Sequence, residues 1–195
     1  HNIASACDIP VFADADTGYG NALNVYHTVQ EYVLAGAAGL HIEDQESPKT
    51  SGTGEGKRCI SQAEAIGKYK AAMEAKNEID PDFVICARCD LIGAEGGSFE
   101  AAVERCIAYA EEGKVDAVWI NNIKDIDHIA EACRKIPAPV IPLYSGPQPQ
   151  PSLEQLRDAG AAVGIFPSLT SSSGIQPTWD LLHDFKQRGV AALLE

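Results

Sequence analysis

The sequence predicts an α/β protein, a (β/α)8 TIM-type barrel of which about six βα units are present in its 195 residues. Two observations carry this. Short, near-continuously apolar runs alternate with helical patterns along the whole chain, as expected of parallel strands covered on both faces. Polar residues collect where each run ends: Asp14 and Asp16, Glu43 and Asp44, Arg88 and Asp90, Asn121 and Asn122, Tyr144 and Ser145, Ser168 and Thr170. A doubly wound sheet gathers such residues mainly at one switch point, whereas a barrel builds its site from the C-terminal end of every strand.

Taken in order, strands are expected at residues 10–15, 38–43, 83–89, 115–121, 139–144 and 162–167. Helices are expected at 22–35, 61–77, 98–112, 125–135, 152–159 and 177–188. Ser98 is placed to cap the third helix, and Ser152-Leu153-Glu154-Gln155 forms a partial capping box on the fifth. Pro177 suits the first turn of the last helix. Nothing divides the chain, so residues 1–195 read as one barrel domain. Six units do not close an eight-stranded barrel, and little sequence precedes the first strand, so two N-terminal units are expected outside this sequence.

Composition bounds the partners. A net charge of −13, from 28 acids against 15 bases, argues against nucleic acid or an anionic membrane. It leaves room for a small anionic substrate held by local cations. No stretch resembles a signal peptide or a membrane span. The six cysteines (Cys7, Cys59, Cys86, Cys89, Cys106, Cys133) are scattered rather than arranged as a disulfide framework. Cys86 and Cys89 fall in the apolar run Phe83–Cys89, where they read as structural thiols of a reducing, cytoplasmic compartment. Trp119 and Trp179 read as core, His41 as a satisfied core histidine within its strand, and His27, His128 and His183 as helix residues.

The chemistry-bearing pattern begins with Val11-Phe12-Ala13-Asp14-Ala15-Asp16-Thr17-Gly18-Tyr19-Gly20-Asn21. Residues i and i+2 of a strand share a face, so Asp14 and Asp16 converge. Converging carboxylates at a strand end call for a positive charge between them, and a hard cation such as Mg²⁺ takes oxygen ligands. The bland reading is a turn with solvated aspartates. Glu43 adds a third acid at the next strand end; alone, Glu43-Asp44 reads equally as a capping or ion-paired couple. Arg88 offers a bidentate grip on a substrate carboxylate, or a salt bridge to Glu43 or Asp90, and both can hold together. Residues 46–58 form a long polar loop whose glycines and Lys49, Lys57 and Arg58 suggest an anion-seeking lid.

These motifs resemble the isocitrate lyase/phosphoenolpyruvate mutase superfamily, methylisocitrate lyases in particular. The resemblance rests on Asp14-Ala-Asp16-Thr-Gly-Tyr-Gly, Gly39-Leu-His-Ile-Glu43-Asp44-Gln45, Pro48-Lys49, Ile85-Cys-Ala-Arg88, the Gly-Gly-Ser-Phe-Glu-Ala-Ala-Val-Glu-Arg helix and Ser152-Leu-Glu-Gln-Leu-Arg-Asp-Ala-Gly160. It implies a barrel that binds Mg²⁺ (Mn²⁺ as an alternative), in a homo-oligomer, usually a tetramer with a swapped C-terminal helix. That helix, a Ser-Gly substrate turn and a further aspartate are then expected outside this sequence. It implies that Asp14 binds the metal directly, Asp16 and Glu43 through water, and that Arg88 binds a small carboxylate substrate, with Asn121 and Tyr144 beside it and Lys49 and Ser51 reaching it from the loop. The activity implied is cleavage of a C–C bond in a small 2-hydroxy or 2-oxo di- or tricarboxylate. The alternatives are phosphonate chemistry, of the mutase or phosphonopyruvate hydrolase kind, and a non-catalytic fragment.

The chain departs from the lyase pattern in its loop. Where those lyases carry Lys-(Lys/Arg)-Cys-Gly-His with cysteine as general acid, this chain has Lys49-Thr50-Ser51-Gly52-Thr53. Ser51 stands for the cysteine and Thr53 for the histidine. A shifted alignment would restore Cys59. Asn121 stands where phosphonate enzymes tend to carry histidine and methylisocitrate lyases glutamate. A serine hydroxyl is too weak an acid to replace a thiol directly.

Overall fold

The structure is a computed structural model, and it describes residues 1–51, 56–167 and 169–193. It comprises two compact units, His1–Gly164 and Ile165–Glu195. The first holds a five-stranded sheet: β1 (Phe12–Asp14), β2 (Gly39–Glu43), β3 (Val84–Cys89), β4 (Ala117–Ile123) and β5 (Val140–Tyr144). Every neighbouring pair is parallel and spatial order equals chain order. Right-handed crossovers that always step to the next neighbour place all helices on one face and curl the sheet, giving the wall of a half-barrel.

The sequence accounts for these elements. All residues of β2 and of β4 are buried, matching their continuous apolar runs. Gly39 is required where β1, β2 and β3 meet, because a Cβ there would lie 2.8 Å from both the Cβ and the carbonyl oxygen of Val84. The outer layer is α2 (Ala22–Leu34), α3 (Gln62–Ile79), α4 (Phe99–Glu111), α5 (Ile126–Lys135) and α6 (Leu153–Asp158), preceded by a short α1 (Asn2–Ala6) that the pattern missed. Capping residues set the helix starts. Ser98 accepts from Ala101 N–H at 3.1 Å, and the Ser152–Gln155 capping box closes with both bonds. The core runs between sheet and helices, through Leu40, Ile42, Ile85, Ile120 and Ile123 against Val25, Val29, Tyr69, Ala72, Val103 and Ile129.

Three expectations fail. Residues 162–167 form no strand: one ladder bond, Ala162 N–H to the Val140 carbonyl at 2.9 Å, is all that reaches β5. Gly164 and Pro167 interrupt the run, and proline has no N–H to continue the ladder. The last helix, α7 (Leu169–Arg188), starts eight residues before Pro177, which lies inside it. The preceding Leu-Thr-Ser-Ser-Ser-Gly stretch is helical despite its turn-like composition. α7 and the 3₁₀ turn Gly189–Leu193 make up the second unit. Trp179, expected in the core, is 60% exposed on α7. Among the described residues no helix is long and apolar enough to cross a membrane.

Candidate active site

Asp14 is the last residue of β1, and the chain turns at once. Asp16, Gly18 and Tyr19 all take left-handed backbone angles, with φ of 49°, 81° and 58°. Gly18 is needed, since a Cβ there would sit 2.4 Å from Val25 Cγ2. Three bonds fix the turn. Asp16 N–H donates to Asp14 Oδ1 at 2.8 Å, Glu43 N–H to the Asp16 carbonyl at 2.8 Å, and Lys68 Nζ to the Thr17 carbonyl at 3.1 Å. The Glu43 bond ties the acidic turn of β1 to the end of β2.

Glu43 is fully buried between two cations: Arg88 Nη1 is 3.1 Å from one carboxylate oxygen and Lys49 Nζ 3.3 Å from the other. Neither oxygen receives a well-aligned hydrogen bond. Burial raises the Glu43 pKa, and Arg88 and Lys49 pull the other way. Lys49 also pairs with Asp16. Burial works against the Lys49 charge, but the Asp16 and Glu43 carboxylates outweigh it and raise the pKa above the ordinary lysine value.

Arg88, at the end of β3, lies between Glu43 and Asp90. Its Nε is 2.8 Å from Asp90 Oδ2, Nη2 is 3.2 Å from Oδ1, and its guanidinium lies 5.1 Å over the Trp119 ring. Asn121 Nδ2 donates to the same Asp90 Oδ1 at 2.5 Å. His41 is packed against Trp119, with Nε2 3.7 Å from Asp14 Oδ1. Burial pushes its pKa down to about 4 against the pull of Asp14, so the ring is neutral at pH 7. Its Nδ1 is buried without a hydrogen bond. The histidine is therefore in the core, as expected, but it is not satisfied there, and it also abuts the acidic turn.

Asp14, Asp16, Glu43, Lys49, Arg88 and Asn121 thus come together at the strand C-termini. Tyr144 does not join them by contact: its hydroxyl donates to the Pro147 carbonyl at 3.1 Å. Ser51 is exposed and follows Thr50, whose N–H donates to Gln45 Oε1 at 3.1 Å. The expected histidine substitute Thr53 and the loop glycines Gly52 and Gly54 lie outside the described residues, as does Ser168. Cys59 forms a backbone bridge with Gln45 just ahead of α3. Burial and the neighbouring Asp44 push its pKa up to about 12.

The loop cations do not all face solvent, contrary to what their composition suggests. Lys57 is not an exposed anion-seeking residue: it is fully buried, with Nζ 2.9 Å from the Ile92 carbonyl and 3.5 Å from Asp90 Oδ1. Arg58 is exposed and pairs with Glu46 at 3.1 Å. Composition alone cannot tell a lysine that points into solvent from one that is swallowed by the strand ends.

Among the described residues, no group of three or more His, Cys, Asp or Glu side chains stands close enough to form a ready metal cage. The donor set nevertheless suits a hard cation. It is all carboxylate oxygen, it includes a buried glutamate whose oxygens lack aligned donors, and it already surrounds the Lys49 ammonium. Asp14, 56% exposed, is the most open of the three acids, and its Oδ1 accepts from Asp16 N–H.

Comparison with known proteins agrees with this arrangement. The family described as phosphoenolpyruvate phosphomutase matches residues 1–176. A 2-methylisocitrate lyase of Aeropyrum pernix is 37% identical over 183 residues, covering 93% of this chain. The crystal structure of a phosphoenolpyruvate phosphomutase from Streptomyces platensis subsp. rosaceus superposes with a TM-score of 0.85 at 33% identity over 96% of this chain. A phosphonopyruvate hydrolase in complex with oxalate and Mg²⁺ superposes with a TM-score of 0.80 at 30% identity, again over 96%. The chain spans 57%, 65% and 64% of the length of these three proteins respectively.

Proposed function

The chain belongs to the phosphoenolpyruvate phosphomutase family, in the superfamily that includes isocitrate lyase, and from that premise we propose that it contributes the site of a Mg²⁺-dependent carbon–carbon lyase. The substrate class is a small 2-hydroxy or 2-oxo di- or tricarboxylate. The observation that carries the reading is the buried Glu43 carboxylate, flanked by Arg88 and Lys49 and tied through the Asp16 backbone to the β1 acids.

Asp14 would hold the cation directly, with Asp16 and Glu43 acting through water; Mn²⁺ would serve in place of Mg²⁺. Bound there, the cation would stabilise negative charge developing on the substrate's oxo-acid oxygen. Arg88 binds a substrate carboxylate, and Asp90 and Trp119 hold its guanidinium plane in place. Asn121 offers a neutral hydrogen-bonding edge beside it, and Tyr144 forms the outer rim. The Lys49 ammonium balances Asp16 and Glu43 and is placed to meet an incoming anion. Ser51 orients the leaving group or a water rather than acting as a thiol-like acid. The whole protein acts as a cytoplasmic homo-oligomer.

The test is release of pyruvate from 2-methylisocitrate, or of oxalate and acetate from oxaloacetate, with Mg²⁺ and with a chelator. Failure to release these products under any condition, together with no effect of Mg²⁺, overturns the reading. A second reading is favoured by Pro48-Lys49-Thr50 and by the absence of a thiol at position 51: cleavage or rearrangement of phosphonopyruvate. Phosphate release or phosphoenolpyruvate formation, with no turnover of the carboxylates, selects it.

A further inference from the structure

Lys57 is the charge that the strand-end site does not visibly need. It lies in the β2–α3 loop, yet its side chain is completely buried. Withdrawing an ammonium from water is costly unless anionic and carbonyl partners replace the solvent. Here those partners are the Ile92 carbonyl at 2.9 Å and Asp90 Oδ1 at 3.5 Å. The backbone around it is equally tied: Lys57 bridges Ala94, and its carbonyl accepts Glu95 N–H at 3.1 Å. Asn122, in a left-handed conformation at the end of β4, donates to the same Ile92 carbonyl at 3.3 Å. The lysine therefore sits where the loops after β2 and β3 meet the end of β4.

Its charge acts through Asp90. That carboxylate, fully buried, takes Arg88 on both oxygens and shares Oδ1 with Asn121 and Lys57. Glu43 and Asp90 enclose Arg88 from two sides. Glu43 has Lys49 as a second cation, but Asp90 without Lys57 would rest on Arg88 for its charge, and an Arg88 fully committed to Asp90 would be a poor receptor for an anion. With Lys57 on Asp90, the buried set Glu43, Asp90, Arg88 and Lys57 is balanced, and Asp90 draws less strongly on Arg88.

We propose that Lys57 is a positioning residue, whose buried ammonium, acting through Asp90, keeps Arg88 electropositive and correctly oriented toward a substrate carboxylate. The proposal rests on the carboxylate-binding reading of Arg88 given above. It concerns Arg88 and Asp90 rather than the β1 acids.

The probes are oxalate and Mn²⁺, measured separately on the full chain. Oxalate binding is followed by calorimetry in Mg²⁺, and Mn²⁺ binding without oxalate by electron paramagnetic resonance. Lys57→Gln keeps a donor for the Ile92 carbonyl and removes the charge; Lys57→Met removes both. Both variants are expected to bind oxalate at least about tenfold more weakly while Mn²⁺ affinity stays within about twofold of the parent. A merely structural lesion would weaken both ligands together. Lys57→Gln binding oxalate like the parent, or losing Mn²⁺ and oxalate in parallel, overturns the proposal. So does failure of both variants to fold, which assigns Lys57 to stability alone. If the parent chain binds no oxalate in Mg²⁺, it is instead the carboxylate-site reading that fails.

Discussion

Replacing Asp44 with asparagine isolates the network that holds the site's frame without touching any group proposed to meet a ligand. Asp44 follows Glu43 and is fully buried. Its Oδ2 accepts from Arg105 Nε at 2.8 Å and the Tyr109 hydroxyl at 2.7 Å, and its Oδ1 accepts Asp90 N–H at 2.8 Å. Every neighbour is a donor. The asparagine amide has one acceptor oxygen and one donating NH₂, so either Asp90 N–H or the Arg105–Tyr109 pair must face another donor. Arg105, about nine-tenths buried, loses its counter-charge as well. Breaking a buried pair this way costs about 3–5 kcal/mol, a large share of the roughly 5–15 kcal/mol available to a domain. At roughly 2–4 °C per kcal/mol for a chain of this size, the melting temperature should fall by about 6–20 °C. The assay is thermal unfolding followed by Trp119 fluorescence in a Trp179→Phe background, which silences the exposed tryptophan of α7. Asp82→Asn, at an exposed site, is the control. A fall no larger than the control's would show that the Asp44 network contributes no net stability, and the cost assigned to the orphaned Arg105 would be wrong.

Other outcomes follow from the same geometry. Asp14→Ala should remove the rise in melting temperature that Mg²⁺ confers; in chelator it should cost only about 0.5–1.5 kcal/mol, the worth of its one backbone hydrogen bond. An unchanged Mg²⁺ response would remove Asp14 from the metal set. Gly18→Ala combines a left-handed φ with a clash against Val25 and should destabilise by about 1–3 kcal/mol, read from urea unfolding. Cys59, with its pKa pushed from 9.0 up to about 12, should react with an aromatic disulfide at pH 8 roughly a thousandfold more slowly than an unperturbed thiol. The exposed Cys7 supplies the fast phase, which Cys7→Ser should abolish. The sign of the linkage is fixed: between pH 9 and 12 the folded chain keeps the Cys59 proton that the unfolded chain loses. The contribution of this thiol to stability therefore falls as pH rises through that window. A Cys59→Ala variant should lack that part of the alkaline decline.

Much of the fold was legible because parallel strands buried on both faces have nearly all-apolar sequences. Residues 38–43, 83–89 and 139–144 were placed within a residue or two of β2, β3 and β5. The segment 162–167 has the same appearance, but hydrophobicity measures burial and says nothing of ladder partners; only Ala162 finds one. Pro177 misled in the opposite direction, since a helix beginning at Leu169 overrides the preference of proline for a first turn. In the site, the acids and Arg88 were legible from strand-end position. Lys57 and Asp90 were not recognised as a unit, because their pairing joins two loops 33 residues apart, and no local spacing records it. The signal present was a lone lysine between glycine and arginine, the same signal an exposed lid residue gives.

The left-handed backbone at Asp16 and at Asn122 limits how this protein can change. Both angles, 49° and 63°, are ones that only glycine, asparagine and aspartate adopt at small cost. At position 16 those three residues fit the turn at least cost, and one of them carries charge; Tyr19, at φ 58° in the same turn, adopts the angle at a higher one. A change from Asp16 to Asn would keep the turn while removing the carboxylate that pairs with Lys49. Under the metal-binding role proposed for Asp16, such a variant would lose a ligand without losing the backbone conformation that the turn requires. For a library built on this scaffold, positions 16 and 122 are where diversity should be restricted to those three residues, and where a change of function can be sought without first repairing the fold.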